Sequence, residues 1–439
     1  MTLHSVSTDI PCEIWDKIIE DCGSTNFLSL LKCDKKFYNI TLPKLYATVN
    51  ITSPTAFTFY CLLWDRNFIL PMIRDLAIGP TLGSGESIAT RLVEPASFEH
   101  STVWTAILHI LPNCTRLTSM NFHHIGIPSG FASMLEALPT LVALLLVGCT
   151  ITGDSTLDSC QLQLRQLELR ELFWRGHRKD YYFACNCFRL QELTIEWWSG
   201  CEAENAEDFS LPSSLESLTI LSLIPRWDYM DGVAGSNRRR KTSQGISRVL
   251  VRCHQLQMLS IGQHFPGVQT EFDILLPLVT DLRVTYDFLL TLPCSFNKLT
   301  HLSLTKNSLD LCLTDHNLPL FINVTFFDLN LPFWSASLFQ YIPTCFPSLE
   351  TLTVNWCDTM DPGEMVVTEL PNILNLYHCI RKLSFTRPDD NEEHLCTDNA
   401  FASINLPEDL SEIRIARRVW KIKHSSELPS CPTKAELFN

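Results

Sequence analysis

Eighteen cysteines and thirteen histidines are the residues best equipped for chemistry in this 439-residue chain. Thiolates and imidazoles ligate metals, attack electrophiles or form disulfides, and spacing decides among these roles. A structural zinc site is usually seeded by a Cys-x-x-Cys pair, and none occurs; Cys185-Asn-Cys187 is too tight a pair to replace one. His123-His124 adjoin no nucleophile or carboxylate in sequence and read as a packing or surface pair. The stretch GPTLGSGESIAT (79–90) carries Gly79, Gly83 and Gly85, but it does not open a helix after a strand. It also lacks the Gly-Lys-Ser/Thr that a phosphate cradle requires. No nucleophile elbow, zinc-protease, dinucleotide or kinase signature is present. We therefore expect no catalytic residue, metal site or cofactor, and a chain that binds rather than transforms.

Composition narrows the partners. Apolar residues make up 46% and charged residues 19%, the balance of an ordered globular protein. A net charge of −14 repels phosphate backbones, so nucleic acid is not expected as a partner. The start MTLHSVSTDIP has neither a basic nor an apolar leader region, and no run reaches 18 apolar residues. The expectation is a cytoplasmic or nuclear protein, no membrane partner, and reduced thiols that pack as small hydrophobes. The four Asn-x-Thr sequons, at Asn39, Asn50, Asn113 and Asn323, then read as chance matches.

The element that must position any binding surface is a repeat. An apolar residue, two variable ones, then apolar-x-apolar recurs as IRDLAI (73–78), LTSMNF (117–122), LVALLL (141–146), LRQLEL (164–169) and LQELTI (190–195). LESLTI (215–220), LQMLSI (256–261), VTDLRV (279–284) and LTHLSL (299–304) continue it. VTFFDL (324–329), LETLTV (349–354), IRKLSF (380–385) and LSEIRI (410–415) complete thirteen copies. Most steps fall within the 20–29 residues of a leucine-rich repeat; the steps from 73 to 117 and from 215 to 256 leave room for a degenerate copy or an insertion. Each alternating half predicts a short strand with one face inward. The expected fold is an α/β solenoid, a curved array of about 12–13 repeats over residues 52–424, with an insertion loop at 225–245 and a tail at 425–439. The basic run Arg238–Lys241 in that loop reads as solvated. Cys149, just after its strand in LVALLLVGCTITGD, resembles the cysteine-containing repeats common in ubiquitin-ligase receptors. Cys357 shares that offset, whereas Cys114, Cys253, Cys345 and Cys379 precede their strands; all are expected to pack at the turns.

Residues 1–51 follow another rule. In DIPCEIWDKIIEDCG (9–23), Ile10, Ile14 and Ile18 recur at four-residue spacing after a helix-starting Asp9 and Pro11. Ser24-Thr25-Asn26 predicts a cap for a second helix through FLSLLKC, and a third helix from Lys35 is expected to stop before Pro43. Three such short helices cannot enclose a core alone, so their excess apolar surface must meet the solenoid or another protein.

These residues resemble the F-box family. Ile10-Pro11 stands for its opening Leu-Pro pair, Glu13 to Ile19 for its acidic-apolar helix, and Leu28 and Leu30 for its leucine-rich helix. Cys33 takes its Val position, and Lys35-Lys36 and Phe37 its basic-aromatic end; PKLYATVNI (43–51) is particularly like fungal members with leucine-rich repeats. The chain departs from the pattern at Ile10, usually Leu, and at Lys32, usually apolar. The resemblance implies a non-enzymatic substrate receptor of a Skp–cullin–F-box ubiquitin ligase. Ile10, Pro11, Ile14, Ile18, Leu28, Leu31 and Phe37 would dock the Skp adaptor, and through it a cullin, while the repeats hold a target protein. A scaffold using the same repeats without a ligase is the alternative.

Target contacts are expected among the two residues that follow each strand pattern. Trp197, Tyr286 and Trp356 in that column read as half-exposed aromatic anchors, and Arg387 and Arg417 as a terminal basic area.

Overall fold

In the repeat pattern every second apolar residue turns inward, so each copy presents one dry face that only a neighbouring copy can cover. The computed structural model describes residues 12–21, 26–52, 68–79, 110–128, 130–151, 161–174, 180–197, 211–222 and 249–262. It further describes 276–292, 296–305, 318–331, 336–356, 373–386, 409–415, 418–423 and 436–438, together with Trp104, Ile107, Ile246 and Pro407. All thirteen predicted copies form strands within these ranges. The chain divides into two units at residue 194.

The first unit opens with helices α1 (Cys12–Asp21), α2 (Phe27–Leu30) and α3 (Lys35–Leu45). Asn26 holds the N-cap position of α2 without a side-chain capping bond, whereas Asp34, not foreseen as a cap, accepts the Lys36 N–H at the start of α3. Contrary to the expectation from Pro43, α3 continues through it to Leu45. Buried Thr41 and Leu42 and the pairing of Lys44 with α1 hold this last turn in place, and tertiary packing outweighs the local cost of proline.

Strands β1 (Thr48–Ile51), β2 (Asp75–Ile78) and β3 (Ser119–His123) follow. Next come the short β4 (Gly126–Ile127), helix α4 (Phe131–Glu136), β5 (Ala143–Val147) and the short β6 (Thr150–Ile151). β7 (Gln166–Arg170), the short β8 (Phe173–Trp174), helix α5 (Asp180–Cys185) and β9 (Glu192–Trp197) complete the series, β9 straddling the boundary between units. β1, β2, β3, β5 and β7 pair in parallel in that order, while β4, β6 and β8 form a second, three-stranded sheet. β1 lies inside the span read as the F-box-like region (1–51) and yet is the first strand of the sheet, with Val49 and Ile51 buried beside Leu76 and Ile78.

The second unit contains β10 (Ser217–Ser222), β11 (Met258–Ile261), β12 (Asp281–Thr285), α6 (Tyr286–Thr291) and β13 (His301–Thr305). β14 (Phe326–Leu331), α7 (Ala336–Cys345), β15 (Thr351–Trp356), β16 (Lys382–Thr386) and β17 (Glu412–Ile415) follow. β10 to β17 pair in parallel in sequence order. β18 (Arg418–Lys423) and β19 (Glu436–Phe438) then turn back antiparallel, so residues read as a tail add the closing strand. Across the two long repeat steps β2 pairs directly with β3, and β10 with β11, with no further strand between them among the described residues. The loop at 225–245 lies outside the described residues.

One backbone device recurs within each unit. The carbonyl before a strand accepts two successive N–H groups from the next copy: Arg74 O from Thr118 and Ser119, Thr280 O from Thr300 and His301, Glu350 O from Arg381 and Lys382. The hydroxyls of Thr118, Thr280 and Thr300 donate to the same row of carbonyls. Inward residues such as Phe122, Leu144 and Leu167 in the first unit, and Leu282, Leu302, Phe327 and Leu352 in the second, are almost fully buried. Burial on this scale contributes roughly 1.5–3 kcal/mol per side chain. The fold is a leucine-rich-repeat solenoid.

Candidate protein-interaction surfaces

The N-terminal helices form the first surface. Ile19 and Phe27 are buried, and Trp15 meets Phe37 edge-to-face at 4.9 Å, tying α1 to α3. Lys44 Nζ reaches Asp16 Oδ1 at 2.9 Å and Glu20 Oε1 at 2.8 Å, a second tie between the same helices. Burial alone lowers the Lys44 pKa, but its bonds to Glu20 and Asp16 outweigh that and raise it. With α1 held this way, Ile14 is 50% and Ile18 40% exposed, and Leu28 on α2 is 61% exposed. Leu31 is half-buried, and Phe37 divides its surface between Trp15 and solvent. Ile10 and Pro11 lie outside the described residues.

The strand faces form the second surface. Alternation leaves the residues between the core positions outward, and in the second unit six strands bring these into rows. One row runs Arg283, Ser303, Asp328, Thr353, Ser384 and Arg414 across β12 to β17. Ser303 Oγ donates to Asp328 Oδ2 at 3.2 Å, and Asn355 Nδ2 donates to Asp328 Oδ1 at 2.9 Å. The Thr386 hydroxyl in turn donates to Asn355 Oδ1, and Asn330 Nδ2 to the Leu304 carbonyl at 3.3 Å. Burial pushes the Asp328 carboxyl above its ordinary pKa, against the opposing pull of Ser303, Arg283, the Leu329 N–H and Asn355. Arg283 is itself forked onto Asp281, with nitrogen–oxygen distances of 3.2 and 3.3 Å. In the adjacent row, His301 stacks on Phe326 with ring centres 5.4 Å apart.

This geometry corrects the expected target column. Of the two residues after each pattern, the second is buried at Tyr286 and Leu331, and the first is buried at Glu196 and Thr285. Tyr286 is therefore a core residue at the start of α6, not a half-exposed anchor. Trp356 is in register with Leu331 on β15, and Trp197 ends β9; their side chains lie outside the described residues, as do Arg387 and Arg417. The Asp328 network escaped the sequence reading, although aligning the copies column by column sets Ser303, Asp328 and Thr353 in one row.

The cysteines divide by depth. Cys114, Cys149, Cys253 and Cys345 are buried at the turns, but Cys379, expected with them, is exposed; Cys357 lies outside the described residues. Cys149 Sγ donates to the Phe122 carbonyl at 3.3 Å, linking neighbouring copies. Burial pushes the thiols of Cys114, Cys149 and Cys253 up to about 12. His123 has its pKa lowered by burial and by His124.

No protein-family model and no curated protein matches this sequence. Among solved structures the chain is similar to an internalin of Listeria monocytogenes, with a TM-score of 0.35 and 13% identity over 70% of this chain and 83% of that one. It is also similar to a chain of the yeast Rad7–Elc1 complex, with a TM-score of 0.39 and 11% identity over 91% of this chain and 97% of that one. A chain of the mouse RP105/MD-1 complex has a TM-score of 0.37 and 14% identity over 72% of this chain and 55% of that one. Among the described residues no helix is long and apolar enough to cross a membrane. The fold is one that presents extended surfaces for binding other proteins.

Proposed function

We propose that this chain is the substrate-recognition subunit of a Skp–cullin–F-box ubiquitin ligase, its N-terminal helices docking the Skp adaptor and its repeats holding a target protein. The observation that carries this reading is the apolar face of α1 and α2. Ile14, Ile18 and Leu28 stay exposed although Ile19 and Phe27 beside them are buried, and although Lys44 and Phe37 anchor α1 to α3. Isolated exposed apolar residues are ordinary, but three on adjacent short helices at positions resembling an F-box favour a docking role. Packing of these side chains onto the first repeat, the competing reading, does not account for their exposure.

Binding of a purified Skp adaptor to the full-length protein, followed by calorimetry, tests it. The expected result is binding that weakens at least tenfold with Ile14→Asp and with Leu28→Asp, but not with Leu320→Asp, an equally exposed apolar position in the second unit. Absence of adaptor binding, or equal binding by all three variants, overturns the reading and leaves a repeat scaffold. Adaptor binding without cullin recruitment restricts the function to the adaptor alone.

A further inference from the structure

The outward face of β13 to β15 carries a feature that repeat packing does not require. Between Arg283 and Arg414, the row through Ser303, Asp328, Thr353 and Ser384 contains one ionisable group, Asp328. Its carboxylate is held by neutral donors on two other strands, Ser303 on β13 and Asn355 on β15. Asn355 is fixed in turn by Thr386 on β16. Among the described residues Arg283 lies within electrostatic reach, and it is engaged by Asp281 on its own strand. The result is a carboxylate of fixed orientation, partly withdrawn from water, with acceptor capacity beyond the bonds it makes. Two residues along β14, about 7 Å away at strand spacing, Phe326 stacks with His301 from β13.

A fixed carboxylate beside a ring pair matches one side chain better than any other. Guanidinium forks onto a carboxylate in a plane and stacks flat on aromatic rings, whereas ammonium does neither as well. We propose that the target protein is held on this face through an arginine that pairs with Asp328 and lies along the His301–Phe326 rings. This rests on the reading of the repeats as the target-holding part of the molecule. It specifies the target as a chain presenting an exposed, basic segment, which also suits an acidic receptor of net charge −14.

Panning a random dodecapeptide display library on the full-length protein tests this. The expected outcome is a captured population enriched in arginine. A synthetic peptide of that sequence should lose at least tenfold in affinity when its arginine is replaced by glutamine, and as much against Asp328→Asn. Phe326→Leu should weaken the same peptide several-fold. Thermal melting of both variants, expected to match the parent within a few degrees, separates loss of the site from loss of the fold; if either variant melts far lower, Arg-to-Gln replacement in the peptide against the parent protein decides. Capture of no peptide, enrichment without arginine, or equal binding to a folded Asp328→Asn overturns the proposal. Adaptor binding through Ile14 is read in a separate assay, so failure of this site and failure of the ligase reading are distinguishable.

Discussion

At the residue scale, two glycines show how neighbouring copies constrain each other. A Cβ on Gly79, which has φ +125°, would stand 1.8 Å from the backbone oxygen of His123 in the next copy. This glycine, in a stretch whose sequence excludes a phosphate cradle, permits close approach of two backbones. Gly130 also has positive φ, +89°, but nothing lies within 4 Å of its Cβ position. Gly79→Ala is therefore expected to cost about 2–4 kcal/mol and Gly130→Ala about 1 kcal/mol, differences that denaturant midpoints will resolve. The thiols obey a similar logic of depth. At pH 8 iodoacetamide should label Cys33 and Cys379, which are exposed, far faster than Cys114, Cys149 and Cys253 in the folded protein. Because folding raises these three thiols from 9.0 to about 12, the stability they contribute is complete below pH 9. It declines between pH 9 and about 12, as the unfolded chain gains by ionising them. Unfolding midpoints measured from pH 7 to 10.5 should fall only over the upper part of that range.

At the element scale, α3 shows packing overruling local preference. Pro43 predicts a helix end, yet the turn persists because Leu42 is buried and Lys44 bridges to Asp16 and Glu20. Lys44→Met removes both ion pairs while keeping most of the side-chain bulk. Since Asp16 and Glu20 are largely solvated, the expected loss is under about 1 kcal/mol of stability. The larger consequence should be in adaptor affinity, because Lys44 sets the position of α1 on which Ile14 and Ile18 sit. A several-fold weaker adaptor complex with a nearly unchanged melting temperature is the expected signature.

At the scale of the whole molecule, the sheet sets where the chain can be cut. β1 supplies the first strand, and the Ala47 carbonyl accepts the N–H groups of Arg74 and Asp75. Deleting residues 1–46 removes the helices but keeps that strand. Deleting 1–51 strips β1 and exposes the edge of β2, with its unpaired backbone groups and with Leu76 and Ile78 uncovered. The shorter deletion is expected to remain monodisperse in size-exclusion chromatography, and the longer one to self-associate or melt several degrees lower. The opposite end follows the same principle, since antiparallel β18 and β19 close the parallel ladder at β17.

The sequence by itself determined the repeat. All thirteen strands were legible because burial on one face imposes a two-residue alternation, and stacking imposes a near-constant step, both of which are local and periodic. What only the tertiary structure decided depends on contacts between copies. The entry of the chain from β12 into α6 buries Tyr286, the approach of His123 explains Gly79, and three separate strands assemble the network around Asp328. The 44- and 41-residue steps likewise needed the observed pairing of β2 with β3 and of β10 with β11 to show which strands meet across them. Spacing along one chain carries no record of which neighbour a residue will meet 20 to 40 positions away, so those decisions appear only once the copies are stacked.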